Sequence, residues 1–85
     1  MEQHELKTIQ PYFDELVNGN KTFELRKNDR GFKIGDTLIL REYLPKCNDY
    51  TLRSLNFVIT HILENYQGIE KGYAILSIRR INKPF

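Results

Sequence analysis

The chain has 85 residues, with 13 Lys and Arg against 11 Asp and Glu, a net charge of +2, 40% hydrophobic residues and one cysteine. That length holds one small core, and the composition excludes a disordered linker, a fibrous repeat and a disulfide-stapled scaffold. The polar start Met1–Glu5 and the lack of a bilayer-length apolar run lead to the expectation of one domain over residues 1–85, cytoplasmic and without a membrane partner.

Residues 4–9, His-Glu-Leu-Lys-Thr-Ile, read as a short strand in which Leu6 is flanked by polar residues. Pro11 suits the first turn of a helix, where its missing N–H costs nothing, and the helix extends to Asn18. Phe13, Leu16 and Val17 recur at helical spacing and form its buried stripe, with Tyr12 beside them. Asp14 and Glu15 lie near its start, where orphan N–H groups favour acids, and Gly19 is its stop. From Thr22 the period becomes that of a strand. Phe23 and Leu25 share one face, expected to be the core face, while Thr22, Glu24 and Arg26 share the wet one.

Asn28-Asp29-Arg30-Gly31 and Lys33-Ile34-Gly35-Asp36 read as turns. The second opens a strand over Thr37–Tyr43, in which Leu38 and Leu40 alternate with Ile39 and Arg41. Pro45–Asp49 is a loop, because Pro45 has no N–H for a ladder. Phe57–Leu63 is the next strand, Glu64–Gly72 a polar connection, and Tyr73–Ile81 the last strand, with Ala74, Leu76 and Ile78 on one face. Asn82–Phe85 is a tail. Five strands and one helix between the first two, with apolar residues on both faces of several strands, predict a mainly β fold closed into a small barrel.

Lys21, Arg26, Lys27, Arg30 and Lys33 crowd one segment, and Arg79, Arg80 and Lys83 crowd another. If the two meet in space, the surface is more strongly basic than the net charge implies. The charge alone permits a nucleic-acid partner without pointing at one. His4, His61 and the lone Cys47 show no metal-ligand spacing. His4 reads as a hydrogen-bonding group at a strand end. Gly31-Phe32-Lys33-Ile34-Gly35-Asp36 opens a strand rather than a helix, so it lacks the dipole-backed cradle of a phosphate loop.

The stretch HELKTIQPYFDELVNGNKTFELRKNDRGFKIGDTLILREY, from His4 to Tyr43, resembles small uncharacterised proteins of the DUF3850 type in the ASCH group of the PUA-like superfamily. The carrying motif is Gly-x-Lys-Thr-x-Glu-x-Arg, followed by Asn-Asp-Arg and Gly-Asp. The likeness continues more loosely through Tyr50–Arg53 and the last strand. It implies a small PUA-like β-barrel, a cleft beside the helix end and the charged strand, and binding of RNA or modified nucleosides. The group's signature falls on Gly19, Lys21, Glu24 and Arg26. Some related proteins are small amidohydrolases on acylated cytidines that use a lysine, a threonine and a glutamate. Their lysine falls on Lys21, but their threonine position holds Glu24, and their glutamate lies late in the chain, where Glu64 and Glu70 are the open options here. Leu52 departs from the narrower family, in which glycine stands between Thr51 and Arg53.

The residues expected to contact an RNA or nucleoside-type ligand are Lys21, Glu24, Arg26, Asn28 and Arg30, with Tyr12 and Tyr43 as stacking rings. Lys21, Arg26 and Arg30 suit phosphate or a base rim, and Glu24 suits a base amino group. Asn28 and Asp29 also shape their turn. Against these roles stand bland ones: a solvated lysine, an intrastrand ion pair and tyrosines that fill a small core. No catalytic set, metal or cofactor is assigned. A minimal amidohydrolase and a protein-interaction module are the alternatives. Thr22, the hydroxyl nearest Lys21 in sequence, alternates away from it in a regular strand.

Overall fold

The computed structural model describes residues 1–81, so the predicted tail Asn82–Phe85, including Lys83, lies outside the described residues. The elements are β1 (Gln3–Thr8), α1 (Tyr12–Val17), β2 (Phe23–Lys27), β3 (Thr37–Leu44), β4 (Asp49–Glu64) and β5 (Tyr73–Arg80). They form one five-stranded sheet in the order β1-β3-β4-β5-β2. β1 and β3 pair in parallel, and the other three pairings are antiparallel. The register shifts between Arg41 and Tyr43 in the β3–β4 pair and between Ile59 and His61 in the β4–β5 pair. Such irregularities bend strands, and the sheet curls into a half-barrel.

The predicted barrel does not close by hydrogen-bonded strands. β1 and β2 are the two edges, and neither has a second partner among the described residues. Side chains span the gap instead. Arg26 Nη2 donates to the Lys7 carbonyl at 2.7 Å, and Arg30 Nη1 to the Glu5 carbonyl at 3.1 Å. Two guanidinium groups thus occupy edge acceptors that a fifth, closing ladder would have used.

Leu6, Phe13, Leu16, Leu38, Leu40, Leu55, Phe57, Ile59, Ala74, Leu76 and Ile78 fill the concave side together with Phe32. The alternation predicted for β3 and β5 places Leu38, Leu40, Ala74, Leu76 and Ile78 inward. In α1, Phe13 and Leu16 are buried, whereas Tyr12 and Val17 stay exposed because a six-residue helix presents too narrow a face to bury all four. Gly19, at φ +80°, lets the Gly19 and Asn20 N–H groups return to the Leu16 and Glu15 carbonyls, and Lys21 N–H also reaches Glu15. This cap delivers Lys21 to the start of β2.

Two further predictions need correction. β4 begins at Asp49 and runs for 16 residues, because Tyr50 and Asp49 pair with Tyr43 and Leu44 although their stretch is polar. In β2 the period is right but the faces are inverted. Phe23 and Leu25 are 46% and 56% exposed, and Glu24 is 4% exposed. The carboxylate turns inward because cations meet it there.

Candidate functional site

A cavity of about 460 Å³ is lined by the end of β1, by β2 and by the first residue of α1. The last residues of β1 and the following corner, Lys7, Thr8 and Ile9, form one wall, and Phe23–Arg26 form the other. Tyr12 and Lys21 complete it.

Glu24 is the centre of this cleft. Its Oε2 accepts from Lys21 Nζ at 2.8 Å, and its Oε1 accepts from Arg26 Nε at 3.0 Å, with Arg26 Nη2 at 2.9 Å. Lys21 Nζ also donates to the Phe23 carbonyl at 2.6 Å. Two cations around one buried carboxylate leave the cluster a formal unit of positive charge. Desolvating these groups is offset by the hydrogen bonds that each charge makes. The Lys21 ammonium lies 4.7 Å from the Phe23 ring centroid and 6.0 Å from that of Tyr12. The cleft therefore joins cationic donors to half-exposed rings.

A second cavity, of about 330 Å³, shares Lys21 and is bordered by Gly19, Thr22, Arg79 and Arg80. Here the two basic segments of the sequence meet. Arg80 also reaches toward the Val17 carbonyl at 3.5 Å, over the end of α1. A third, of about 190 Å³, lies on the other side of Arg26 among Leu6, Lys27, Asp29, Arg30 and Phe32.

Of the residues assigned from sequence, the structure brings Tyr12, Lys21, Glu24 and Arg26 to the cleft and Arg30 to the small cavity beside it. Asn28 is turned elsewhere. Its Oδ1 accepts from the Phe32 N–H at 3.1 Å and its Nδ2 donates to Glu64 at 3.0 Å, which is its turn-forming role. Tyr43 stands on β3 behind the cleft wall. Its ring packs edge-on against Tyr50 at 5.2 Å, and its hydroxyl donates to Asn48. Its link to the cleft is Lys7, whose ammonium lies 4.3 Å from the Tyr43 centroid.

Lys7, Thr8 and Ile9 line the cleft but lie outside the residues assigned from sequence, which centre on the charged segment and two tyrosines. The signal for Thr8 was present. Alternation along β1 puts His4, Leu6 and Thr8 on one side, and all three are buried. Thr8 Oγ1 has no hydrogen-bond partner among the described residues.

Two buried acids hold the frame of the site. Glu42 accepts from Gln10 Nε2 at 2.6 Å and from Thr51 Oγ1 at 3.0 Å, with Arg53 Nε 3.6 Å away. Arg53 also pairs with Asp14 at 3.0 Å. This network ties the corner between β1 and α1 to β3 and β4, fixing the wall that carries Ile9 and Tyr12. At the other end of β1, Asp36 Oδ2 lies 3.0 Å from His4 Nε2, and Asp36 accepts from the Glu2 and Lys33 N–H groups. Burial alone would raise the Asp36 pKa, but hydrogen bonds from His4 and the two amides hold it below the ordinary carboxylate value. His4 is thus a strand-end hydrogen-bonding group, as expected, and belongs to this structural pair rather than to the cleft lining.

Among the described residues, no group of three or more His, Cys, Asp and Glu side chains is placed to hold a metal ion. No helix among them is long and apolar enough to cross a membrane.

Comparison with known proteins finds a match over residues 3–78 to a family described as a domain of unknown function, DUF3850. The chain is also similar to an uncharacterised 12.9 kDa protein in the GpA 3′ region of Escherichia phage P2, with 49% identity over 73 residues. That match covers 86% of this chain and 64% of the phage protein, so the chain spans less than two thirds of that relative's length.

Proposed function

The chain belongs to the DUF3850 family, and from that premise and the cleft we propose that it binds a nucleoside-type ligand, free or as an unpaired residue of RNA, between β1 and β2. The observation that carries this reading is the convergence of Lys21, Arg26, a buried Glu24 and the Tyr12 and Phe23 rings on one cavity of about 460 Å³. That volume lies within the range of about 300–1,000 Å³ usual for small-molecule sites. The rings offer faces for a base. Lys21, Arg26 and Arg30 hold phosphate or the rim of the base, and Glu24 accepts from an amino group with a remaining lone pair. Arg79 and Arg80 beside Lys21 extend the basic rim along a path for a polynucleotide backbone.

The curled, mainly β sheet with a helix between its first two strands supports the finer assignment to the ASCH-type, PUA-like folds. An exposed, unpaired Cys47 is compatible with the reducing cytoplasm, which we take as the site of action. The amidohydrolase alternative has one observation in its favour: a threonine, Thr8, lines the same cavity as Lys21 and Glu24. Lys21 is held there as a donor to Glu24 and to the Phe23 carbonyl, a binding arrangement more than a base.

The test is a titration against short single-stranded RNA at low and high salt, with cytidine and N4-acetylcytidine as a separate arm. Salt-sensitive RNA binding that weakens on Arg26→Ala supports the polynucleotide form. Salt-insensitive binding of the nucleosides supports a closed recognition site. Release of acetate from N4-acetylcytidine would favour the hydrolase, and no binding in either arm would overturn the proposal.

A further inference from the structure

Thr8 closes β1 and faces inward with His4 and Leu6. His4 is hydrogen-bonded to Asp36 and Leu6 packs in the core, but the Thr8 hydroxyl, 4% exposed, meets no partner among the described residues. Buried hydroxyls are normally hydrogen-bonded, because an unpaired one loses its water and gains nothing in return. Valine has the same branched shape and strand preference without that cost. A group that burdens the fold in this way is commonly one that serves a site.

The surroundings of Thr8 identify what it serves. It lines the cleft between Lys7 and Ile9, and Lys21, Glu24 and Arg26 line the same cleft. Both Glu24 oxygens already accept from cations. Among the described residues, the Thr8 hydroxyl is the buried neutral polar group of the cleft without a bond, and a hydroxyl can donate and accept at once. We propose that Thr8 is the specificity-determining residue of the cleft, its Oγ1 hydrogen-bonding a polar edge of the nucleoside-type ligand while the cations hold the ligand's charge. This inference rests on the binding function proposed above. It assigns to β1, outside the charged signature, a second contact that distinguishes one base edge from another, beside that of Glu24. A ligand lacking a polar atom at that position would leave the hydroxyl unpaired and be rejected.

The experiment compares the wild-type chain with Thr8→Val and Thr8→Ser. Each protein is titrated calorimetrically with cytidine, uridine, N4-acetylcytidine and short oligouridylate and oligocytidylate, and each is melted without ligand. The expected result is that the probe bound best by the wild type binds about tenfold more weakly to Thr8→Val, and with restored affinity to Thr8→Ser. The melting temperature of Thr8→Val is expected to equal or exceed that of the wild type, since the fold makes no use of the hydroxyl. Equal affinities of wild type and Thr8→Val would overturn the role of Thr8 and leave the binding function standing. A lower melting temperature for Thr8→Val with unchanged affinity would assign the hydroxyl to the fold and also overturn it. Failure of the wild type to bind any of the five probes would overturn the binding function, and the role of Thr8 with it.

Discussion

Replacing Glu24 with glutamine keeps the shape of the side chain and removes the charge on which Lys21 and Arg26 converge. Each contact, near 2.8–3.0 Å, is worth about 6 kcal/mol in gross Coulomb terms at an effective dielectric of about 20. Desolvation of the three groups cancels most of that sum. Breaking a fully buried pair from one side costs about 3–5 kcal/mol. Here the Lys21 and Arg26 side chains retain 17% and 26% exposure, so each can turn toward water. The expected loss for Glu24→Gln is therefore smaller, about 2–3 kcal/mol. A chain of this length has about 4–13 kcal/mol of total stability, so the loss is a large fraction of it. In a thermal melt it corresponds to a fall of about 10–20 °C. Urea unfolding of Glu24→Gln, Arg26→Met, Lys21→Met and the two double variants then apportions the effect. Coupling of Glu24 to Arg26 is expected to exceed its coupling to Lys21, because Arg26 approaches Glu24 Oε1 with both Nε and Nη2 whereas Lys21 makes a single contact. A loss under about 0.5 kcal/mol for Glu24→Gln, the range of ordinary surface changes, would refute the reasoning that turns this strand inward on its carboxylate.

The inverted faces of β2 give a second expectation. Phe23→Ser and Leu25→Ser should each change stability by less than about 1 kcal/mol, whereas Leu76→Ala, at a fully buried position, should cost about 2–5 kcal/mol in the same urea assay. A third concerns pH. The folded-state pKa of Asp36 lies below its ordinary 3.8, so its contribution is present in full above that value and is lost as pH falls through the folded pKa. The difference in unfolding free energy between wild type and Asp36→Asn should therefore shrink as pH is lowered below about 4, and a difference that grows there would contradict the assignment. Gly35 adopts φ +98°, and an added Cβ would lie 2.8 Å from the flexible end of Met1. Since the Met1 side chain can move aside, Gly35→Ala should cost about 1–2 kcal/mol from the backbone conformation, read as a shift in urea midpoint.

The strands of this fold were legible where one apolar face repeats. Leu38 and Leu40, and Ala74, Leu76 and Ile78, alternate inward as their spacing predicts. β2 was legible in period and misleading in direction. Hydrophobicity assigns Phe23 and Leu25 to the core, but ion pairing of Glu24 with Lys21, which precedes the strand, and with Arg26 on it decides for Glu24, and no local pattern reports that a carboxylate has two cations waiting. The first half of β4 was hidden for a related reason. Asp49–Ser54 is polar, and Leu52 points wholly into solvent, so its strand form comes from pairing with β3 rather than from its own residues.

The site divided in the same way. Lys21, Glu24 and Arg26 lie within six positions of one another, and their meeting follows from a cap and a short strand. Arg79 and Arg80 join Lys21 only through the antiparallel pairing of β5 with β2. Thr8 reaches the cleft because β1 pairs with β3 in parallel and becomes an edge facing β2. Such placements depend on topology, which periodicity along the chain does not encode. The gap between the edges was missed for a similar reason. Closure was expected from the need to cover exposed strands, and two arginines on β1 carbonyls meet that need without a ladder.

The central claim is that the cleft between β1 and β2 receives a nucleoside-type ligand. The most direct measurement is an amide chemical-shift titration of the isotope-labelled chain with N4-acetylcytidine and with short single-stranded RNA. The account predicts saturable shifts concentrated at Lys7–Ile9 and Lys21–Arg26, with smaller ones at Arg79 and Arg80 for RNA alone. Shifts confined to the far end of β3 and β4, around Tyr43 and Tyr50, or no shifts with either probe, would contradict it.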